Sequence, residues 1–231
     1  MVEADMHLSP ALSNRQPLQI LNNPESRQVF MGIYDNILLT SSGAQQKRFL
    51  ICSANRGEGA STAALGLALA AAEVRNQPVL LIDGNFSHPQ VCKTFFLPEL
   101  HGLGDFLVGS VDAKSVIRAT SVPHVLVMGA GAAPLNHLSM LESPVFKNLL
   151  DSLSEAFPFI IIDGPPINGF AESVVYAAQV DRVLLVIKSG ITRVQVVSTA
   201  LAKLAAGGCN KIDLILNRRT FPIPPWIYQR L

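Results

Sequence analysis

The chain has 231 residues, 49% of them hydrophobic and 15% charged, and a formal net charge of +1. That length and apolar fraction supply the core of one sizeable α/β domain. A charge so near zero gives no electrostatic reason to expect nucleic acid or an anionic membrane surface as a partner. Cys52, Cys92 and Cys209 are three, widely spread, and without metal-ligand spacing, which fits a reducing compartment. The chain does not open on a basic-then-apolar leader, and its longest apolar stretch, 63–72, is too short to span a bilayer. The expectation is a cytoplasmic protein that reaches the inner face of a membrane only through a partner.

Residues 1–24 are polar and carry Pro10, Pro17 and Pro24, the composition of a flexible arm. Val29, Phe30, Ile33, Ile37 and Leu38 then recur at helical spacing and predict a helix over 25–39, ended by Ser41-Ser42-Gly43. Apolar runs of buried-strand type follow at 49–52, 78–82, 124–128, 159–163, 182–187 and 213–217. Helical stretches at 61–75, 143–156 and 192–206 separate several of them. Strands that are apolar throughout and alternate with helices predict a mostly parallel sheet covered on both faces. Ligands of such sheets sit at the carboxyl ends of the strands.

The first strand runs into SANRGEGAST, residues 53–62, and then into a helix rich in Ala and Leu. A phosphate-binding loop reads G-x-x-x-x-G-K-[ST]. Here the eight positions are Ala54-Asn55-Arg56-Gly57-Glu58-Gly59-Ala60-Ser61. Gly57 and Gly59 let backbone amides approach a phosphate, and Ser61 and Thr62 open the helix. The Ser61 hydroxyl is a candidate Mg²⁺ ligand. Ala60 stands where the pattern has its lysine. A hydrogen bond to a charged group contributes about 1.5–3 kcal/mol, so nucleotide binding would be weakened by the loss. Transition-state charge depends more heavily on such a group, so phosphoryl transfer would suffer most. The competing reading is a plain strand–turn–helix crossover with Ser61 as its cap.

Two further strand ends deliver carboxylates to the same edge. The run 78–82 ends in Asp83-Gly84-Asn85, and the run 159–163 ends in Asp163 before Gly164-Pro165-Pro166. Each Asp alone could merely cap a turn. Two of them beside a glycine loop make a metal–phosphate constellation, with Ser61, Asp83 and Asp163 as the Mg²⁺ set.

With these motifs in hand, residues 30–218 resemble the cytoplasmic kinase domains of bacterial tyrosine kinases of polysaccharide export, within the deviant P-loop group of division-site and plasmid-partition ATPases. Residues 53–62 stand where Walker A stands, FIIIDGPP (159–166) matches Walker B, and LLIDGNFSHP (80–89) matches a second acidic motif. GLGDFLVG (102–109), the segment 128–150, SGITR (189–193) and LILNR (214–218) match in the same order. The resemblance implies a three-layer P-loop domain over 25–219. It also implies an ATP or ADP site with Mg²⁺, formed by Arg56, Gly57, Glu58, Gly59, Ala60, Ser61 and Thr62, with Asn217 and Arg218 on the base side. Asp83, Asn85 and Asp163 would be the catalytic set. The implied partner is a membrane-embedded chain-length or export protein.

The departures from that family point one way. Ala60 replaces the Walker A lysine, Asn55 replaces the signature lysine of partition-type relatives, and Asn85 replaces the second Asp of the acidic motif. An amide ligates but cannot act as a base. The ring-forming E-x-x-R-x-x-R helix pattern has lost its arginines: from Glu25 they fall on Gln28 and Met31, and aligned on Phe30 and Asn36 the pattern falls on Gln28, Met31 and Tyr34. Ring assembly by that route is therefore not expected, and a homo-oligomer would have to form in another way. Relatives end in a tyrosine cluster. The tail 220–231 has only Tyr228, while Tyr34 and Tyr176 fall in helices as packed residues. The tail's prolines with Trp226 and Ile227 suit either an extended docking segment or a fold-back onto the domain. His88, Cys92 and His101 match no zinc pattern.

The expected function is that of a degenerate, kinase-like component of exopolysaccharide export, acting through partner binding. The alternative is a working autokinase or ATPase in which Arg56 or another cation replaces the lysine.

Overall fold

The central apolar runs become strands of one sheet because each can bury side chains on both faces at once, whereas the 213–217 run forms an edge strand with Leu214 and Leu216 exposed. The computed structural model describes residues 23–40, 46–209 and 211–218. Among them the sheet has seven strands: β1 (Arg48–Ser53), β2 (Val79–Asp83), β3 (Ile117–Ala119), β4 (Val125–Met128), β5 (Phe159–Asp163), β6 (Arg182–Lys188) and β7 (Ile212–Asn217). Their order is β3-β4-β2-β5-β1-β6-β7. Every neighbouring pair is parallel except β3 with β4. This is the P-loop type of α/β architecture that the sequence predicts.

Among the described residues, eight helices flank it: α1 (Pro24–Thr40), α2 (Ala60–Arg75), α3 (Val91–Thr94), α4 (Leu103–Leu107), α5 (His137–Glu142), α6 (Pro144–Ala156), α7 (Glu172–Ala177) and α8 (Val194–Ala206). The four long ones lie within two residues of the predicted spans. The four short ones and β3 were not legible in the sequence. β3 is three partly exposed residues centred on Arg118, with no apolar run to signal it.

The alternation of a strand sorts its side chains into two layers. Phe49, Ile51, Leu81 and Ile161 face α1 and α2. Leu50, Leu80, Ile160 and Ile162 face Phe146 and Leu150 of α6, Tyr176 of α7 and Leu204 of α8. Phe159 anchors the first layer, stacked on Phe49 at 4.4 Å and met edge-on by Tyr34 at 5.6 Å. Tyr34 and Tyr176 are both fully buried.

Helix α1 lies against α2 because Gly66 leaves room for it. A Cβ on Gly66 would sit 2.4 Å from the Phe30 ring. Asn23 accepts the amides of Glu25 and Ser26 and so starts α1. Residues 1–22 of the expected arm and the tail with Tyr228 lie outside the described residues. None of the helices among the described residues is long and apolar enough to cross a membrane.

Candidate nucleotide site

The site forms where β1 stops and α2 starts. Gly57 and Gly59 have φ of +82° and +99°, in the left-handed region that an L side chain rarely adopts. Their turns curl residues 54–59 beneath the start of α2. Gly59 is doubly constrained, because a Cβ there would lie 2.2 Å from the Asn217 amide nitrogen. Helix α2 has 16 residues, and no side chain caps its first turn. Its opening amides are thus available to an anion, helped by the helix dipole.

A cleft of about 390 Å³ opens at that helix end. One wall is the loop, through Arg56, Gly57, Gly59, Ala60, Ser61 and Thr62. Asn85, His88 and Gln90 form the second wall, and Gly164, Pro166 and Phe170 the third. The site residues expected from sequence are therefore split. Seven line the cleft, while Glu58, Asp83, Asp163, Asn217 and Arg218 do not.

Glu58 is turned inward and is 5% exposed. Its carboxylate accepts the Asn55 amide at 2.8 Å and the Thr192 hydroxyl at 2.5 Å. Asn217 donates its side-chain amide to the Glu58 carbonyl at 2.8 Å. Arg218 follows with φ +53°, its amide held by the Asn217 side chain at 2.8 Å.

Asp83 and Asp163 end the neighbouring strands β2 and β5 in direct register. The Asp83 carboxylate accepts the amides of Gln90 at 2.8 Å, Val91 at 2.9 Å and Asn85 at 3.2 Å. It thereby caps α3, and it borders a separate cavity of about 460 Å³ beside Cys92, His101 and Asp105. Burial pushes its pKa up to about 6, against the lowering effect of those amides. Asp163 is 1% exposed. Burial first, and then the nearby Asp83 charge, push its pKa up to about 8, while the Ser61 hydroxyl acts in the opposite sense. Its Oδ1 is buried without a hydrogen-bond partner. Burial and the Asp83 charge both favour the neutral, protonated Asp163 carboxyl over the carboxylate.

The cavity around Asp83 holds two of the three residues that match no zinc pattern, Cys92 and His101, while the third, His88, lines the cleft. Cys92 lies 3.1 Å from the Arg118 guanidinium, and His101 lies 3.3 Å from Asp105. Sequence reading missed Gln90 and Phe170 as cleft residues. They carry no motif, and only the folding of two loops over the sheet edge brings them there.

None of the protein-family models matches the chain. The tyrosine-protein kinase CpsD of Streptococcus agalactiae is 30% identical over 195 residues, covering 84% of this chain and 84% of CpsD. The chain belongs to the bacterial tyrosine-protein kinases. A crystal structure of the chimerical protein CapA2B2 superposes with a TM-score of 0.82 at 28% identity, covering 90% of this kinase-family chain and 92% of the chimera. The septum site-determining protein MinD of Pyrococcus horikoshii, solved with Mg-ADP, shares the fold. Its TM-score is 0.61 at 23% identity over 80% of this chain and 76% of MinD.

Proposed function

We propose that this chain is a degenerate kinase-like component of exopolysaccharide export, acting through partner binding while its P-loop holds nucleotide weakly and transfers phosphate poorly. One observation carries the reading. Ala60 is the first residue of α2 and lines the floor of the cleft, where its methyl group offers no charge to a phosphate. The open helix end and the two glycine turns supply dipoles, which favour an anion by a fraction of what an ammonium contributes.

Mg²⁺ fits what remains of the site. The orphaned Asp163 Oδ1 and the Ser61 hydroxyl are hard oxygen donors, and Mg²⁺ is commonly held by one or two protein oxygens together with phosphates. Asp83 is a poorer donor because backbone amides already occupy its oxygens. When bound, the ion would neutralise phosphate charge. Binding it requires Asp163 to lose its proton.

The partner reading rests on the family resemblance: a membrane-embedded chain-length or export protein, with this chain at the inner face of the membrane. A second reading is favoured by Arg56, an exposed cation on the cleft wall. In that reading it replaces the lysine in a working autokinase.

Calorimetry with Mg-ADP and Mg-ATP, alongside an ATP turnover assay, separates the two. Weak binding with turnover about 100-fold or more below active relatives supports the degenerate reading. Brisk turnover that Arg56→Ala abolishes supports the second and overturns the first.

A further inference from the structure

The Glu58 side chain faces away from the cleft, and the residue touches three parts of the chain, two through its carboxylate and one through its backbone carbonyl. Its Oε2 accepts the Asn55 amide of its own loop. Its Oε1 accepts the Thr192 hydroxyl, and that hydroxyl in turn accepts the Lys188 amide at the end of β6, at 3.0 Å. Its carbonyl is held by Asn217 at the end of β7. Thr192 thus uses its one donor and one of its two acceptor positions in a single chain from β6 to the loop. On the other side of the loop, the Ile167 and Asn168 amides donate to the Ser53 and Ala54 carbonyls at 2.9 and 3.2 Å.

We propose that Glu58 is a positioning residue whose carboxylate holds the phosphate loop in its curled form without any ligand, by latching it through Thr192 to the end of β6, while Asn217 of β7 holds the Glu58 backbone carbonyl. In a loop whose lysine is missing, the order that phosphate would impose from the cleft side is supplied from behind by a buried carboxylate. Charge-assisted hydrogen bonds of this kind are the strong ones, and a buried carboxylate with both oxygens engaged fixes geometry more than an exposed pair does. The latch also ties the loop to Asn217, so a displacement at the end of β7 is transmitted to Gly59, against which Asn217 packs.

The test is amide-resolved hydrogen exchange on the full chain without nucleotide, comparing wild type with Glu58→Ala, Glu58→Gln and Thr192→Val. Local opening is read directly as lost protection. The expected result is a fall of about 10-fold or more in protection of the Asn55, Ile167 and Asn168 amides in Glu58→Ala and Thr192→Val. Protection in the middle of β5 should stay unchanged. Glu58→Gln keeps an acceptor for the Asn55 amide and should fall between. The double variant Glu58→Ala/Thr192→Val should be no worse than Glu58→Ala, since both remove one latch. Unchanged loop protection in Glu58→Ala overturns the proposal, and so does an equal loss everywhere, which would mean global destabilisation. Thr192→Val, nearly isosteric, carries the test if Glu58→Ala fails to fold. A wild-type chain that binds no nucleotide leaves this result intact, so the two readings fail separately.

Discussion

Asp83 and Asp163 stand side by side at the ends of β2 and β5, yet their oxygens serve different ends. Asp83 is saturated by backbone amides and acts as a cap, while Asp163 keeps one buried oxygen without a partner. Their pKa values are pushed up to about 6 and about 8.

That elevation sets a pH dependence. Between about pH 4 and 8, folded Asp163 binds a proton that the unfolded chain has released. Stability from this group is fully present below about pH 4 and falls as pH rises toward 8, and Asp83 adds the same trend up to about pH 6. Asp163→Asn removes the ionisable group with little change of shape. Its Tm advantage over wild type should grow from pH 5 to pH 8, by about 2–4 °C per kcal/mol. Equal pH slopes for the two proteins would contradict the assignment.

Asp83→Ala removes an acceptor from three amides, two of them at the start of α3. Urea denaturation should show a loss of about 1–3 kcal/mol, with Asp83→Asn losing less because one acceptor oxygen remains. An Ala variant as stable as wild type would remove the capping role.

Ala60→Lys tests how much of the nucleotide pocket survives. The ammonium returns a charged hydrogen bond of about 1.5–3 kcal/mol, equivalent to about 10- to 100-fold in affinity for Mg-ADP by calorimetry. It should also draw the Asp163 pKa down from about 8, since a cation favours the charged carboxylate. Unimproved binding would locate the defect elsewhere in the cleft.

His137 presents both ring nitrogens to acceptors, the Pro134 carbonyl and Glu172, each at 2.8 Å. Burial works against its charge, but these two acceptors together raise its pKa above the ordinary value of 6.5. When protonated, the ring donates to both acceptors and clips the loop before α5 to α7, and it rests 5.3 Å from Phe86. This contribution is complete below pH 6.5 and is lost as pH rises through the folded value. An NMR titration of His137 should have its midpoint above 6.5, falling in Glu172→Gln. A midpoint at or below 6.5 refutes the clip.

Gly66→Ala sets two effects against each other. Alanine gains about 1 kcal/mol of helix propensity. The new methyl meets the Phe30 ring at 2.4 Å, and overpacking costs about 1–3 kcal/mol. The expected net effect by urea melting is destabilising, relieved by a smaller side chain at Phe30. A stabilised Gly66→Ala would show that α1 shifts freely.

Local pattern decided the layers of this protein. Runs such as 159–163 are apolar at successive positions because they are covered on both faces, and that pattern survives in any register. The glycines of the phosphate loop and the missing ammonium at Ala60 were equally legible, since backbone conformation and charge belong to single residues. The positions of Asp83 and Asp163 at strand ends followed from runs ending in Asp, but their adjacency, through the pairing of β2 with β5, did not, because strand order depends on long-range crossovers. Glu58 looked like a cleft residue in sequence, and only the approach of Thr192 from the turn after β6 and of Asn217 at the end of β7 shows it engaged behind the loop. Likewise no local signal announced that Asp83 would be consumed by amides seven and eight residues away. Contacts of that kind are decided by which loops the sheet edge gathers, and a one-dimensional pattern holds no record of them.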